Sequence, residues 1–399
     1  MDRFRESIKL PQLPLNKREC RIHFLTTDFP PSLGGLQSYS AQIATKLPGI
    51  RRVDAGLSGH TPHEYPIPRG SELEYHFHWG SNRLAAALWS SLAVLGQVLK
   101  QRKKNYSTVC LHMQWNTALL PWLLTKIGYR IRYVILIHGT EFAGARFFTR
   151  LLMRAIFTNA DAVIAGSHFT SKYFQSKVIK HPQLRVVPYG MEAQSTPNRT
   201  LNSALPSAEK PLQFLCIHRL VPRKGSSLLL HALAQAKLPP WQLTLIGDGP
   251  EKKSLLALSK KLNLAAKIHF AGSCSEEQKH GHLQKADLFI LPSLPPDTNA
   301  TYIEGLGLVL LEAQMAQLPV LAALTGGIVE AFEPGKTGEG FKAGSLSDLT
   351  QALEKLGANH ALLTEYGKQG PDWIKSRFSW DKTINEIAQI ISVVATDTR

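Results

Sequence analysis

Short apolar runs alternate with helix-length segments along this chain, and the alternation starts twice. The first series runs Arg21-Ile-His-Phe-Leu-Thr-Thr27, Thr108–His112, Tyr133–His138, Ala162–Ala165 and Arg185–Pro188. Its first member leads through the loop Asp28-Phe-Pro-Pro-Ser-Leu-Gly-Gly35 into a helix pattern over Leu36–Leu47. The second series runs Gln213–Ile217, Gln242–Ile246, Ile268–Ala271, Leu288–Leu291 and Val320–Ala322. Helix patterns follow at Ser226–Ala236, Glu251–Leu262, up to Lys285, and Gly307–Ala316. Between the two series, Glu192–Lys210 is rich in Ser, Pro, Asn and Thr and reads as a linker. Apolar strands separated by helices demand a parallel sheet covered on both faces. The reading is therefore α/β, with two Rossmann-like domains, 1–195 and 196–375. Ligands in such sheets lie beyond the carboxyl ends of the strands, and two facing domains place one in the cleft between them.

The length of 399 residues suits two domains better than one core. Met1–Asn16 is short on apolar residues and shows no signal-peptide core. Leu84–Leu99 is the longest apolar stretch, but Ser90, Ser91, Gly96 and Gln97 break it below the length of a spanning helix. Four scattered cysteines, none in a Cys-x-x-Cys pair, argue against a disulfide framework or zinc site and fit a reducing, cytoplasmic compartment. The net charge of +16 is lopsided. Residues 1–200 hold 26 Lys and Arg against 11 Asp and Glu, and residues 201–399 hold 20 against 19. A basic first half fits an anionic membrane surface, nucleic acid, or plain solubility.

Three motifs in the second half bear on chemistry. Arg219, Arg223 and Lys224, in Cys216-Ile-His-Arg-Leu-Val-Pro-Arg-Lys-Gly225, put cations between a strand end and a helix N-terminus. That arrangement suits a diphosphate, though a solvated basic turn reads the same way. Ile246-Gly247-Asp-Gly-Pro-Glu251 is a strand-to-helix turn with a capping residue, and fits either a ligand contact or a plain turn. Glu304-Gly305-Leu-Gly-Leu308-Val309-Leu-Leu-Glu312 sets two carboxylates around a glycine turn entering an apolar helix. Glu312 there needs a hydrogen-bond partner, which ribose hydroxyls would supply; Glu304, in the loop, could face a sugar. The amides of Thr325-Gly-Gly327 could hold a phosphate or sugar oxygen.

Taken together the chain resembles a family 4 glycosyltransferase of the GT-B fold, over about residues 21–390. The resemblance is carried by Glu304-x7-Glu312, by Arg219-x4-Lys224, by Gly34 and Gly35, and by Arg377-Phe-Ser-Trp-Asp381. It implies that a closing helix in 376–399 crosses back onto the first domain. It implies that Gly34, Gly35, Arg219, Lys224, Gly247, Glu304, Gly305, Leu308, Val309 and Glu312 hold the donor. His138 matches a family histidine that contacts the donor sugar, so Glu304, His138, Arg219 and Lys224 are the catalytic candidates. His112 and Gln114 are further acceptor-side candidates, and Gly166-Ser167 and Tyr189-Gly190-Met191 resemble segments lining the cleft. Three positions depart from the family pattern and bear on donor specificity: Leu306 for an aromatic, Gln317 for Gly and His218 for Gly.

The resemblance implies retaining transfer of a hexosyl group from a UDP- or GDP-linked sugar to a hydroxyl. No cofactor is expected beyond this co-substrate. No Asp-x-Asp occurs, so metal-independent chemistry is expected, with Arg219, Lys224 and helix amides neutralising the leaving diphosphate. The expected partners are a nucleotide sugar, a lipid-linked or glycan acceptor and an anionic membrane surface. Ala145–Phe157 reads as an amphipathic helix with Arg146, Arg150 and Arg154 in a stripe, its apolar side packed on the core. A nucleotide-sugar epimerase and a non-catalytic nucleotide-sugar or nucleic-acid binding relative are the alternatives; the aromatics show no base-stacking pattern.

Overall fold

The computed structural model describes residues 20–29, 34–58, 74–80, 92, 107–129, 131–192, 206, 207, 209–296 and 302–396. Residues 30–33 of the first loop, 193–205 of the linker and all of the Leu84–Leu99 run except Leu92 lie outside the described residues. Two compact units emerge, dividing at Gly190/Met191 and again at Ser379/Trp380, with Ser167–Phe169 grouped with the second.

The first unit holds a seven-stranded sheet. Its strands are β1 (Cys20–Thr26), β2 (Ile50–Ser58), β3 (Glu74–Gly80), β4 (Ser107–His112), β5 (Arg132–Ile137), β6 (Ala162–Ala165) and β7 (Leu184–Val186). They lie in the order β3-β2-β1-β4-β5-β6-β7, every neighbouring pair parallel. Helices α1 (Gly35–Lys46), α2 (Leu119–Lys126), α3 (Phe147–Thr158) and α4 (His168–Lys177) fall between strands. One core, with Leu25, Tyr133, Ile135, Ile137, Phe157 and Phe174, fills the space beneath α2, α3 and α4.

Two of these strands are absent from the sequence reading. β2 reads Ile-Arg-Arg-Val-Asp-Ala, and its charges hide it. Arg52 and Asp54, two residues apart, point to one side of the strand. There Arg52 Nε and Nη2 grip Asp54 at 2.6 and 2.9 Å. The fork neutralises both charges within the fold, where the Asp54 side chain is 0% exposed. Among the described residues β3, with its His-rich sequence, pairs only with β2.

The second unit is a six-stranded parallel sheet in the order β10-β9-β8-β11-β12-β13. Its strands are β8 (Leu212–Ile217), β9 (Trp241–Ile246), β10 (Ile268–Gly272), β11 (Leu288–Leu291), β12 (Val320–Leu324) and β13 (Gly338–Lys342). The edge strand β13, Gly-Glu-Gly-Phe-Lys, carries little strand signal of its own and is held by β12. The helices are α5 (Ser226–Gln235), α6 (Lys252–Lys261), α7 (Glu276–Lys285), α8 (Leu308–Met315), α9 (Leu346–Gly357) and α10 (His360–Arg377). A capping box at Ser275 and Gln278 starts α7.

The last helix, α11 (Trp380–Thr396), belongs to the first unit. It buries Ile384, Ile387, Ala388, Ile391 and Val394, a helical period, and packs on β4 and β5. Its first residue, Trp380, stacks on Tyr39 at 5.4 Å, and Thr383 Oγ1 donates to the Pro188 carbonyl at 2.8 Å.

Gln317, where the family pattern has Gly, follows α8 with φ of 56°. Its carbonyl lies close against Gly367 of α10, so the backbone there has little freedom to relax. A side chain in the left-handed region is strained. Gln317→Gly is therefore expected to raise stability by about 0.5–1 kcal/mol, read as a higher urea midpoint at constant m-value.

Candidate active site

In the second sheet the strand order reverses between β8 and β11. Loops leaving the carboxyl ends of two such strands diverge and open a crevice. Lys224 and Glu304 of the sequence candidates meet there. β8 ends at Ile217 and is followed by His218, Arg219 and the 3-10 turn Pro222–Lys224. The loop after β11 ends with Glu304–Gly307 before α8. The two loops are tied together, because Leu294 N–H donates to the Arg223 carbonyl at 2.9 Å.

Lys224 Nζ lies 2.5 Å from Glu304 Oε2, and Arg223 Nη1 lies 3.4 Å from the same oxygen. Both ends of the Lys224–Glu304 pair are largely enclosed, at 11% and 16% side-chain exposure. Burial pushes the Glu304 carboxyl up, but Lys224, through its charge and its hydrogen bond, and then Arg223 and His218, outweigh burial. The carboxyl is held below its ordinary range and is ionised at neutral pH. Arg219 is exposed, so it is Arg223, not Arg219, whose guanidinium joins Lys224 at the carboxylate.

His218 is buried, and its Nδ1–H donates to the Arg219 carbonyl at 3.1 Å. Burial, then the charge of Lys224, pushes its pKa down to about 4, leaving a neutral ring. Its Nε2 has no partner among the described residues, nor do the buried hydroxyls of Ser226, at the start of α5, and Ser293, after β11. Three unpartnered buried polar atoms on the segments that meet here mark it as a place for a polar guest or water.

Two glycines in this region answer to packing. A Cβ on Gly225, φ +71°, would stand 1.9 Å from the Pro292 carbonyl oxygen. One on Gly247, φ +132°, would stand 2.0 Å from the His218 carbonyl oxygen. Gly247 N–H is also spent, on the Gly272 carbonyl at 2.7 Å. The capping expected in Gly247–Glu251 is different from the one observed. Glu251 occupies the N-cap of α6 without a side-chain cap, while Asp248 accepts from Gly249 N–H and meets Lys252.

The turn after β12 also differs from expectation. Gly327 N–H, expected to face a phosphate or sugar oxygen, donates to the Glu304 carbonyl at 2.8 Å. The amide thus holds the Glu304 loop in place. Gly305 and the first two residues of α8, Leu308 and Val309, are half-buried.

Glu312 faces from α8 to Lys279 on α7, with Nζ–O distances of 2.9 and 3.0 Å. The partner this carboxylate required is therefore internal. Burial pushes Glu312 up against the pull of Lys279, while Glu312 and Glu276 hold the Lys279 ammonium above its ordinary value despite burial. An ammonium lies at contact distance, and the spare lone pairs of the Glu312 carboxyl can accept two hydroxyls. Lys279 was missed in the sequence; the capping box four residues earlier was its only local signal.

The first unit repeats the geometry. Its strand order reverses between β1 and β4, and the loops after them meet. Gln114 Nε2 donates to Asp28 Oδ2 at 3.0 Å, and Thr27 N–H donates to Gln114 Oε1 at 2.8 Å. Gln37 of α1 donates to Asp28 Oδ1 at 2.9 Å. Gly34 is the exposed N-cap of α1 and Gly35 its first residue. His112 is fully buried, meets Thr117 Oγ1 at 2.8 Å and is pushed down by burial to about 3, so it serves as a neutral core residue and not as an acceptor contact.

His138 follows β5 and is 6% exposed. Its Nε2–H donates to the Met113 carbonyl at 3.0 Å, and its Nδ1 meets the Tyr189 hydroxyl at 2.8 Å. Both ring nitrogens are engaged within the unit, so the ring is a strut under Tyr189. A sugar contact through the ring requires breaking one of these bonds. The backbone N–H of His138 donates to Glu141 at 2.7 Å.

Comparison with known proteins follows the same two halves. A family model for glycosyl transferases group 1 matches residues 198–373, and one for a glycosyl transferase 4-like domain matches residues 16–190. A GDP-mannose-dependent alpha-(1-6)-phosphatidylinositol monomannoside mannosyltransferase of Mycobacterium tuberculosis is 26% identical, over 93% of this chain and 98% of its own. An N-acetyl-alpha-D-glucosaminyl L-malate synthase of Bacillus anthracis is 24% identical, over 78% of this chain and 80% of its own. Among solved structures, a sucrose-phosphate synthase of Thermosynechococcus elongatus is 20% identical, with a TM-score of 0.75 over 94% of this chain and 99% of that one. HepE of Anabaena in complex with UDP-glucose is 19% identical, with a TM-score of 0.72 over 94% and 100%. The paired sheets with reversed strand order and the Lys224–Glu304 contact thus sit in a chain matched on both sides of its linker by one enzyme class, and the protein belongs to the family 4, group 1 glycosyltransferases of the GT-B fold.

Proposed function

We propose that this glycosyltransferase moves a hexosyl group, with retention, from a nucleotide-diphosphate sugar to a hydroxyl of a lipid-linked or polysaccharide precursor. The observation that carries the reading is the enclosed cation–carboxylate contact of Lys224, Arg223 and Glu304 at the strand reversal of the second sheet. The name of the mycobacterial relative favours GDP-mannose and a phosphatidylinositol-type acceptor. HepE with UDP-glucose keeps a UDP donor in play. The acceptor half would be served by the first unit at an anionic membrane face, on the cytoplasmic side.

In this reading Lys224, with Arg219 and Arg223, takes the charge that develops on the leaving diphosphate, so no metal is needed. Glu304 orients the sugar, Glu312 accepts ribose hydroxyls, and the turn at Gly305 with the amides of Leu308 and Val309 borders the phosphates. Gly247 shapes the neighbouring turn, and Gly34 and Gly35 offer bare backbone beside the acceptor. The sugar C1–phosphate oxygen bond breaks as the acceptor oxygen bonds to C1 from the same face. The acceptor proton passes to the departing phosphate oxygen, and no enzyme nucleophile takes part.

The test is a thermal-shift panel of UDP-, GDP- and ADP-sugars, followed by mass spectrometry and NMR of the product from the best binder. A shift with one donor, a product of unchanged anomeric configuration and turnover that survives EDTA are expected. Isomerised donor in the absence of acceptor would identify an epimerase instead, and inversion at C1 would remove the front-face route.

A further inference from the structure

Helix α3 turns its inner side, Met153, Ile156 and Phe157, onto the core, and that side is complete. Its first turn nevertheless carries two phenylalanines outward. Phe147 is 70% and Phe148 81% exposed, their rings in edge contact at 5.6 Å. Leu151, one turn on from Phe147, is 44% exposed. Arg146 and Arg150 are exposed on the same turn. Arg154 is engaged differently from its stripe neighbours, because its Nε donates to the Val178 carbonyl just past the end of α4.

Helix α2 covers the same core cluster and shows the same outward character. Leu123 is 44% exposed and Ile127, four residues on, is 69% exposed, with exposed Lys126 between them. Across residues 119–158 there are six Lys and Arg but one acid, Glu141. That carboxylate is turned inward to the His138 N–H, so neither helix surface carries a negative charge.

A single exposed apolar side chain is ordinary, but contiguous large ones rimmed by cations are not. We propose that the outer face of α3 is the surface by which this protein docks on an anionic lipid bilayer. Phe147, Phe148 and Leu151 would enter the headgroup–acyl boundary while Arg146 and Arg150 meet lipid phosphates. Charge complementarity favours this occupant: Arg146 and Arg150, on a helix without acids, repel a second copy of themselves and suit an anionic sheet. The choice of a membrane also rests on the proposed lipid-linked acceptor, whose headgroup such docking would bring to the first unit.

The experiment is co-sedimentation of the full chain with phosphatidylcholine vesicles, with and without phosphatidylglycerol. Wild type is expected to bind only the anionic vesicles. Arg146→Gln/Arg150→Gln is expected to lose about tenfold or more in partition coefficient, and Phe147→Ser/Phe148→Ser a comparable amount. The thermal shift with nucleotide sugar should be the same in all three proteins, since the changed side chains are exposed. Wild-type binding to neutral vesicles as strong as to anionic ones overturns the proposal, as does undiminished binding by the phenylalanine variant. So does a wild-type dimer that the phenylalanine variant converts to a monomer without any vesicle binding. Loss of every nucleotide-sugar response with vesicle binding intact would instead overturn the proposed function and leave the docking surface standing.

Discussion

Lys224→Met is expected to lower kcat with the preferred nucleotide sugar by about 10²–10³-fold, the usual cost of removing one preorganised charge donor from a developing anion. The expectation rests on enclosure. Lys224 is 9% exposed and bonded to Glu304, so water cannot replace its ammonium cheaply. Arg223, 3.4 Å from the same carboxylate, remains and limits the loss. Glu304→Ala separates the two halves of the pair. Glu304 holds the ammonium that the proposed diphosphate contact uses, so its removal frees Lys224. Free UDP or GDP should then bind as well as or better than to wild type, while turnover drops about 10²-fold because the sugar loses the carboxylate proposed to orient it. Calorimetry with the free nucleotide and initial rates with the sugar donor check the split. Near-normal turnover of the alanine variant would remove Glu304 from the reaction, and parallel losses in binding and turnover would make it a purely structural counter-ion.

Arg52→Met is expected to cost about 3–5 kcal/mol of stability without touching the donor site. Asp54 is enclosed in the sheet, and its carboxylate receives a two-pronged grip from the Arg52 guanidinium. Removing that grip takes the two-pronged cation away from a buried negative charge. The midpoint of thermal unfolding should fall by about 10 °C or more. Arg52→Met/Asp54→Leu should recover most of the loss, because replacing both charges by apolar groups removes the desolvation cost together with the attraction. A double variant no more stable than the single one would show that Asp54 is held mainly by its other surroundings.

Those two ion pairs also mark where the sequence stops being sufficient. Runs such as Tyr133–Ile137 and Leu288–Leu291 announce buried strands by composition alone, and the helix periods between them announce a parallel sheet with covered faces. The double start of that pattern was enough to expect two α/β units and, with Glu304-x7-Glu312 and Arg219-x4-Lys224, the glycosyltransferase family. β2 escaped because Arg51, Arg52 and Asp54 read as surface charge in any window that sees only neighbours. The fork that makes Arg52 and Asp54 compatible with burial exists only once the strand is formed.

The candidate site divides the same way. That cations and carboxylates would gather at strand ends was legible, since the turn and cap residues lie beside them. Which cation meets which carboxylate was not. The motif Arg219-x4-Lys224 singles out Arg219, and the 3-10 turn Pro222–Lys224 places Arg223 at Glu304. Glu312 showed its need for a partner in its apolar surroundings, but Lys279 stands 33 residues away and comes from another helix. The Gly247 turn reads as a ligand contact or a plain turn, and only the structure shows that the His218 carbonyl packed against it requires a glycine there. Local periodicity, capping and turn chemistry act within a few residues and are written in the chain itself. Charge pairing and close backbone approach depend on distances between segments far apart in sequence, and only the tertiary structure sets those.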